Sequence, residues 1–289
     1  MKHCRFFRVC FAFLFVTILI NPSSYSQENI TVSACCSNAS IKAFTDLALD
    51  ASFMIAHDEP AAFSYQHPMG HEVSFSTPDG KTGSGYFIPA KTKSKKWVLV
   101  FHEWWGLNDY IKRQSDQIHA DIPEVNVLAL DLYDGLIGTK REEAAALMQK
   151  TSAERIQNIL LGAAMYCGKE ADLFTIGWCF GGAWSNKASI LLASQVKACV
   201  IYYGMPVTDT EQLKPLQADV LGIFGLQDKS INTEVVQRFR QAMQSAGKSL
   251  EVYEYDAPHA FANPSNPKYS KEYSEDAWKK SMAFLRQRL

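Results

Sequence analysis

From residue 97 onward, short apolar runs alternate with stretches of helical period. The runs at 97–101, 125–130, 173–177, 198–203, 220–224 and 250–255 have the length and continuity of fully buried strands. Between most of them the spacing of apolar residues predicts helices at 109–120, in two pieces across 140–166, and at 184–193, 233–246 and 272–288. Upstream, 71–76 and 84–88 alternate apolar and polar residues around Pro78-Asp79-Gly80, a turn signal, and predict an antiparallel hairpin. A further apolar helical stretch at 41–55 is expected to pack on the main domain. This alternation predicts an α/β fold with a mostly parallel central sheet flanked by helices on both faces. In such sheets the chemistry sits at the carboxyl ends of the strands.

The first residues break this pattern. Lys2, Arg5 and Arg8 precede an apolar run over 9–20, which is followed by Asn21, Pro22 and a small-residue segment ending at Ser26. These are the charged, apolar and cleavage regions of a signal peptide. The run falls short of the roughly 20 residues a membrane-crossing helix needs. The expected organisation is a signal peptide at 1–26, an N-terminal arm at 27–68 and one α/β domain at 69–289. The mature chain is expected to be exported, periplasmic or secreted, without stable membrane insertion after cleavage. Val32-Ser33-Ala34-Cys35 has the look of a lipoprotein box, but it follows polar Gln27, Glu28 and Asn29, so a lipid-anchored form is the weaker reading.

Composition narrows the function classes. The formal charge is −1 with Lys and Arg scattered, which leaves no footprint for a polyanion and argues against nucleic acid. Cleavage removes Cys4 and Cys10 and leaves an odd set, Cys35, Cys36, Cys167, Cys179 and Cys199, so at least one thiol stays free or pairs between chains. No metal site or cofactor is expected, and the oligomeric state is not legible.

Gly177-Trp178-Cys179-Phe180-Gly181-Gly182 follows a predicted buried strand and opens a helix, the pattern of a nucleophile elbow with Cys at the nucleophile position. The amides and partial positive charge of that helix start are expected to lower the thiol pKa. Asp228 lies just past a later strand and His259 in the loop after the last one, in the order nucleophile, acid, histidine. The loop Phe101-His102-Glu103-Trp104-Trp105-Gly106 follows the first central strand, so the Trp104 and Phe180 N–H groups are candidates for an oxyanion hole. Glu103 beside the nucleophile would disfavour a free thiolate or hold the thiol proton until substrate displaces it. His102 reads as a residue that shapes the loop.

With these motifs in place, the chain from about Gly70 to its C-terminus resembles the dienelactone hydrolase family. The resemblance is carried by His102-Glu103-Trp104-Trp105-Gly106-Leu107-Asn108, Asp131-Leu132-Tyr133, the Cys179 elbow, Gly225-Leu226-Gln227-Asp228 and His259-Ala260-Phe261. It implies Cys179 as nucleophile, His259 as base, Asp228 as orienting acid and Glu103 as the carboxylate that keeps the thiol quiet, with an acyl-thioester later hydrolysed by water. The sequence departs from the family where dienelactone-cleaving members bind a substrate carboxylate with two arginines: Gly135 and Asn263 stand at those positions. Arg141 or Lys140 is left as a substitute cation. Trp105, Tyr133, Trp178 and Phe261 are the expected pocket residues, an aromatic lining suited to a small neutral ester or lactone. The rival readings are a redox-active thiol at Cys179 and a non-catalytic binding protein on the same fold.

Overall fold

Eight strands join in one sheet of order β1-β2-β4-β3-β5-β6-β7-β8. In chain order they are β1 (His71–Ser76), β2 (Thr82–Ile88), β3 (Lys96–Phe101), β4 (Asn126–Leu130), β5 (Asp172–Trp178), β6 (Val196–Tyr202), β7 (Asp219–Gly225) and β8 (Leu250–Tyr255). The hairpin β1–β2 is antiparallel and adds antiparallel to β4; from β4 through β3 to β8 every pair is parallel. This computed structural model describes residues 51–289, together with Met1 and Leu47. The expected signal peptide, the lipoprotein-like box, Cys35, Cys36 and most of the arm before residue 51 lie outside the described residues. Except for Met1, the described residues belong to one unit, Ser33–Leu289.

The helices are α1 (Ala51–Ala56), α2 (Asp109–Asp121), α3 (Arg141–Lys150), α4 (Ala153–Cys167), α5 (Phe180–Leu191), α6 (Thr210–Leu213), α7 (Thr233–Ser245) and α8 (Lys271–Arg286). Local chemistry sets their starts. The side chains of Asn108, Ser152, Asn232 and Ser270 each accept a hydrogen bond from a first-turn amide of α2, α4, α7 and α8 respectively. The central strands read as unbroken apolar runs because both faces are covered: β4 is buried at every position. Together these elements form an α/β-hydrolase fold.

The structure differs from the sequence pattern in three places. Helix α5 begins at Phe180, four residues ahead of the predicted start at 184. Gly181 and Gly182 look like helix breakers, but they serve close approach in the first turn. A Cβ on Gly181 would lie 2.2 Å from the Phe101 carbonyl oxygen at the end of β3, and one on Gly177 would lie 2.2 Å from the Gly181 carbonyl oxygen. Strand β8, read as fully buried, has only Tyr255 buried and three of its six residues exposed, because it closes one edge of the sheet. The single turn α6 carried no periodic signal.

One buried cation ties the hairpin to the body of the domain. Arg155 of α4 is 7% exposed. Its guanidinium donates to both carboxylate oxygens of Asp134, to Asp79, to Thr77 Oγ1 and to the Thr82 carbonyl. The β1–β2 turn, the loop after β4 and helix α4 thus share one fully satisfied charge.

Candidate active site

Strand β5 ends at Trp178 and α5 starts at Phe180, so the whole reversal falls on Cys179, whose φ is +53° and ψ −115°. A non-glycine residue is strained in that region, and such strain persists only where the surroundings enforce it. Here the enforcement comes from the Cys179 amide, which donates to the Tyr202 carbonyl of β6, and from the glycine contacts described above. The thiol is 1% exposed. Burial pushes its pKa up, Glu103 pushes it further, and His259 with the Phe180 amide pulls the other way without prevailing. The helix start therefore does not deliver the net lowering expected from sequence, because the desolvation of a sulfur sealed on all sides is the larger effect.

Asp228 follows β7 and His259 lies in the loop after β8, so the sheet brings together residues 31 positions apart. His259 Nδ1 donates to Asp228 Oδ2 at 2.5 Å, and Asp228 Oδ1 accepts from the Ser230 and Ile231 amides, 2.9 Å each. Burial alone would raise the Asp228 pKa; His259 and the two amides reverse this and hold it below the carboxylate norm. Burial likewise works against the imidazolium, but Asp228 lifts the His259 pKa well above the usual range. With Nδ1 committed to Asp228, Nε2 is the free face of the ring. It is buried, has no hydrogen-bond partner among the described residues, and belongs to a group in which the His57, Cys179 and His259 ligand atoms lie within 4.8 Å of one another.

Glu103, in the turn after β3, is 7% exposed, and burial pushes its pKa up to about 7. Its two oxygens are taken: Oε1 accepts from the Tyr203 hydroxyl at 3.3 Å and Oε2 from the Asn263 amide. Asn263 is one of the two residues at the expected arginine positions, so where a cation was expected the chain has a neutral clamp on Glu103. The other, Gly135, offers no side chain and has open space around its Cα. His102 bridges loops: Nδ1 donates to the Glu103 carbonyl and Nε2 accepts from the Leu132 amide, joining the ends of β3 and β4.

The residue that sequence reasoning missed is His57, at the end of α1 in the arm. Its Nε2 lies 3.3 Å from Cys179 Sγ, and its Nδ1 lies 2.7 Å from the Phe53 carbonyl. A carbonyl only accepts, so Nδ1 carries the hydrogen. Burial, followed by the nearby His259, pushes the ring's pKa down to about 3, so it is neutral at pH 7. Nε2 is then a lone pair, and Cys179 S–H donates to it. Phe53 and His57 both pack on Trp104 and His259, so α1 covers the nucleophile. Arg141 fastens the cover: Nε donates to the His57 carbonyl and Nη2 to Asp58. The arginine considered as a substitute carboxylate binder is thus committed to the arm.

The expected aromatic residues are all buried but do different things. Tyr133 packs on His102 and Phe180, and Trp105 on Trp104. Trp178 stacks on Tyr202, whose hydroxyl meets Ser281 of α8, while Phe261 packs on Tyr203. Trp104 Nε1 and the Tyr133 hydroxyl are buried without a hydrogen-bond partner among the described residues, as is His259 Nε2. Cys167, Cys179 and Cys199 are all unpaired thiols.

The sequence profile of the dienelactone hydrolase family matches residues 84–289. The chain belongs to the dienelactone hydrolase family. The chain is similar to a Methylorubrum extorquens protein provisionally named carboxymethylenebutenolidase, 27% identical over 270 residues, with 86% of each chain covered. A Salmonella typhimurium protein with the same provisional name is 35% identical over 132 residues, covering 42% of this chain and 48% of that one. Among solved structures, a protein of Klebsiella pneumoniae provisionally described as a dienelactone hydrolase superposes with a TM-score of 0.64 at 24% identity, over 75% of this chain and 99% of that one. The chain is accordingly a carboxylic ester hydrolase on the α/β-hydrolase fold.

Proposed function

We propose that this hydrolase cleaves small, neutral ester or lactone bonds through Cys179, His259 and Asp228, with an acyl-thioester intermediate. The observation that carries the reading is a cysteine held at positive φ on a strand-to-helix elbow, near an unpartnered imidazole nitrogen whose ring is backed by a buried carboxylate. In its neutral form His259 takes the thiol proton at Nε2 as sulfur attacks the acyl carbon, and the same proton passes to the leaving alkoxide. Water then gives a proton to His259 and attacks the thioester, releasing the acid and restoring the thiol. The Phe180 and Trp104 N–H groups are the proposed donors to the tetrahedral oxyanion. Glu103 opposes premature formation of the thiolate, because a negative charge beside the sulfur disfavours a second one. In the resting enzyme the thiol hydrogen rests on His57, which yields it when substrate enters.

Neutrality of the substrate is read from the two residues that stand at the expected arginine positions. Gly135 and Asn263 replace the arginine pair, Asn263 is engaged with Glu103, and Arg141 with the arm. A buried, unpaired carboxylate costs several kcal/mol, on the order of the penalty for any uncompensated buried charge. The enzyme is proposed to act outside the cytoplasm, on the strength of the signal-peptide pattern at 1–26.

The test is Cys179→Ala assayed against neutral aryl esters and lactones beside wild type. Hydrolysis is expected to fall by at least about a thousandfold, and mass spectrometry of quenched wild-type enzyme should show an acyl adduct on the Cys179 peptide. Residual activity within about tenfold of wild type would remove Cys179 as nucleophile. A higher specificity constant for a carboxylated lactone than for its neutral counterpart would overturn the substrate class.

A further inference from the structure

His57, Cys179 and His259 come from three separate parts of the chain: the arm, the elbow and the loop after β8. All three are buried, and their ligand atoms lie within 4.8 Å of one another. For hydrolysis one base suffices, and His259 has the supporting carboxylate. A second imidazole directed at the same sulfur calls for another account.

The arrangement has the features of a transition-metal site. Each histidine presents Nε2 inward and donates its other ring hydrogen to a fixed acceptor, the Phe53 carbonyl for His57 and Asp228 for His259. Those outer hydrogen bonds are the arrangement that fixes tautomer and ring orientation in metal-ligating histidines. Around Zn²⁺, with Zn–N of about 2.0–2.1 Å and Zn–S of about 2.3 Å, tetrahedral ligand atoms stand roughly 3.3–3.7 Å apart. The 3.3 Å from His57 Nε2 to Cys179 Sγ already matches, and the other separations, none above 4.8 Å, need to close by at most about an ångström. Two imidazoles and a thiolate suit a borderline-soft ion and do not suit Ca²⁺ or Mg²⁺.

We propose that His57, Cys179 and His259 form a three-ligand site for a soft divalent transition-metal ion, Zn²⁺ foremost, whose binding switches the hydrolase off. Cys179 S–H and the protonated His259 Nε2 each release a proton to solvent, metal–sulfur and metal–nitrogen bonds form, and the ion sheds all but one of its waters as the three protein ligands take their places. The net positive charge left by Zn²⁺ on one thiolate faces Asp228 and Glu103. Inhibition follows because the ion occupies the sulfur lone pair and the His259 Nε2 lone pair that ester cleavage uses. The ion and the substrate reach the sulfur by the same displacement of α1, and once bound the ion bonds the arm to the domain.

That inhibitory consequence rests on the hydrolytic reading of Cys179 and His259; the site itself does not. The test is a Co²⁺ titration of metal-free, untagged full chain under a non-thiol reductant, followed by absorption spectroscopy. Expected are one equivalent bound, visible bands of tetrahedral Co²⁺ and a near-ultraviolet thiolate-to-cobalt band that Cys179→Ala abolishes. His57→Ala should weaken binding by about 100-fold or more, beyond the roughly 10–100-fold that losing a hydrogen-bond partner behind a metal ligand costs. His57→Cys, which restores a soft ligand at the same place, should regain tight binding with a stronger charge-transfer band. No thiolate band at several hundred micromolar Co²⁺, or an affinity that His57→Ala leaves unchanged, would overturn the site. Zn²⁺ should abolish ester hydrolysis by the same preparation and a chelator restore it; metal bound with hydrolysis undiminished overturns the switch. Tight Co²⁺ binding by a chain whose metal-free form hydrolyses no ester would remove the proposed hydrolysis and leave the site standing.

Discussion

Cys179 is governed by charges and hydrogen bonds a few ångströms away, and Glu103 is the one whose removal has a clear sign. Above its pKa of about 7 the Glu103 carboxylate is charged and raises the Cys179 pKa. Glu103→Gln removes that charge while keeping the amide's capacity to accept from Tyr203. Alkylation of Cys179 by iodoacetamide at pH 8 is expected to quicken severalfold, with its pH profile displaced to lower pH; an unchanged profile would show that the carboxylate does not reach the sulfur. At this scale much of the site was legible. Cys179, Asp228 and His259 sit in local motifs whose meaning depends on a few neighbours, and the departures at Gly135 and Asn263 were visible as residue types. The engagement of Asn263 with Glu103 was not, because the two are 160 positions apart. His57 was missed for the same reason. Nothing around His57 in the sequence marks it, and its partner lies 122 residues downstream.

Helix α1 is the element on which access depends. Arg141 holds its end with two hydrogen bonds, one of them to a carboxylate. Charge-assisted bonds of this kind are worth about 1.5–3 kcal/mol each, less where partly exposed, as this pair is. Arg141→Ala is therefore expected to populate an open arm about tenfold more and to accelerate Cys179 alkylation by a similar factor without loss of the fold. Protonation should act in the same direction. The His57 pKa is depressed to about 3 by burial and then by His259 and Arg141, against the raising effects of the Phe53 carbonyl and Asp228. An undocked arm therefore binds a proton that the docked arm refuses. Docking is strongest above the free histidine value near 6.5 and weakens by up to about 1.4 kcal/mol per pH unit as pH falls toward 3. Backbone hydrogen exchange over 51–60, corrected for its intrinsic pH dependence, should quicken across that window in wild type and not in His57→Phe. Most elements were legible because periodicity is a local property. Exceptions arose where a neighbour decides: α5 starts early because β3 and β6 leave no room for side chains at its first turn.

For the molecule as a whole, the Arg155 network joins the antiparallel hairpin to the parallel body of the sheet. Arg155→Met leaves the Asp134 and Asp79 carboxylates without their shared cation, and Thr77 Oγ1 and the Thr82 carbonyl without their donor. Both acids reach solvent, the Asp134 side chain at 49% exposure, so the expected outcome is a Tm lower by roughly 2–6 °C, read by calorimetry. The sheet also has two open edges, and β8 forms one. It presents Glu251 and Glu254 outward, paired with Arg288 and Arg240. A strand with a free row of amides and carbonyls is a template for adding another chain, and charge on its outer positions is what discourages that. The sequence Leu250-Glu251-Val252-Tyr253-Glu254-Tyr255 would be a strongly aggregation-prone hexamer without its two glutamates. Glu251 and Glu254 thus hold the β8 edge closed to strand addition, a service to the folded molecule in which the active site has no part.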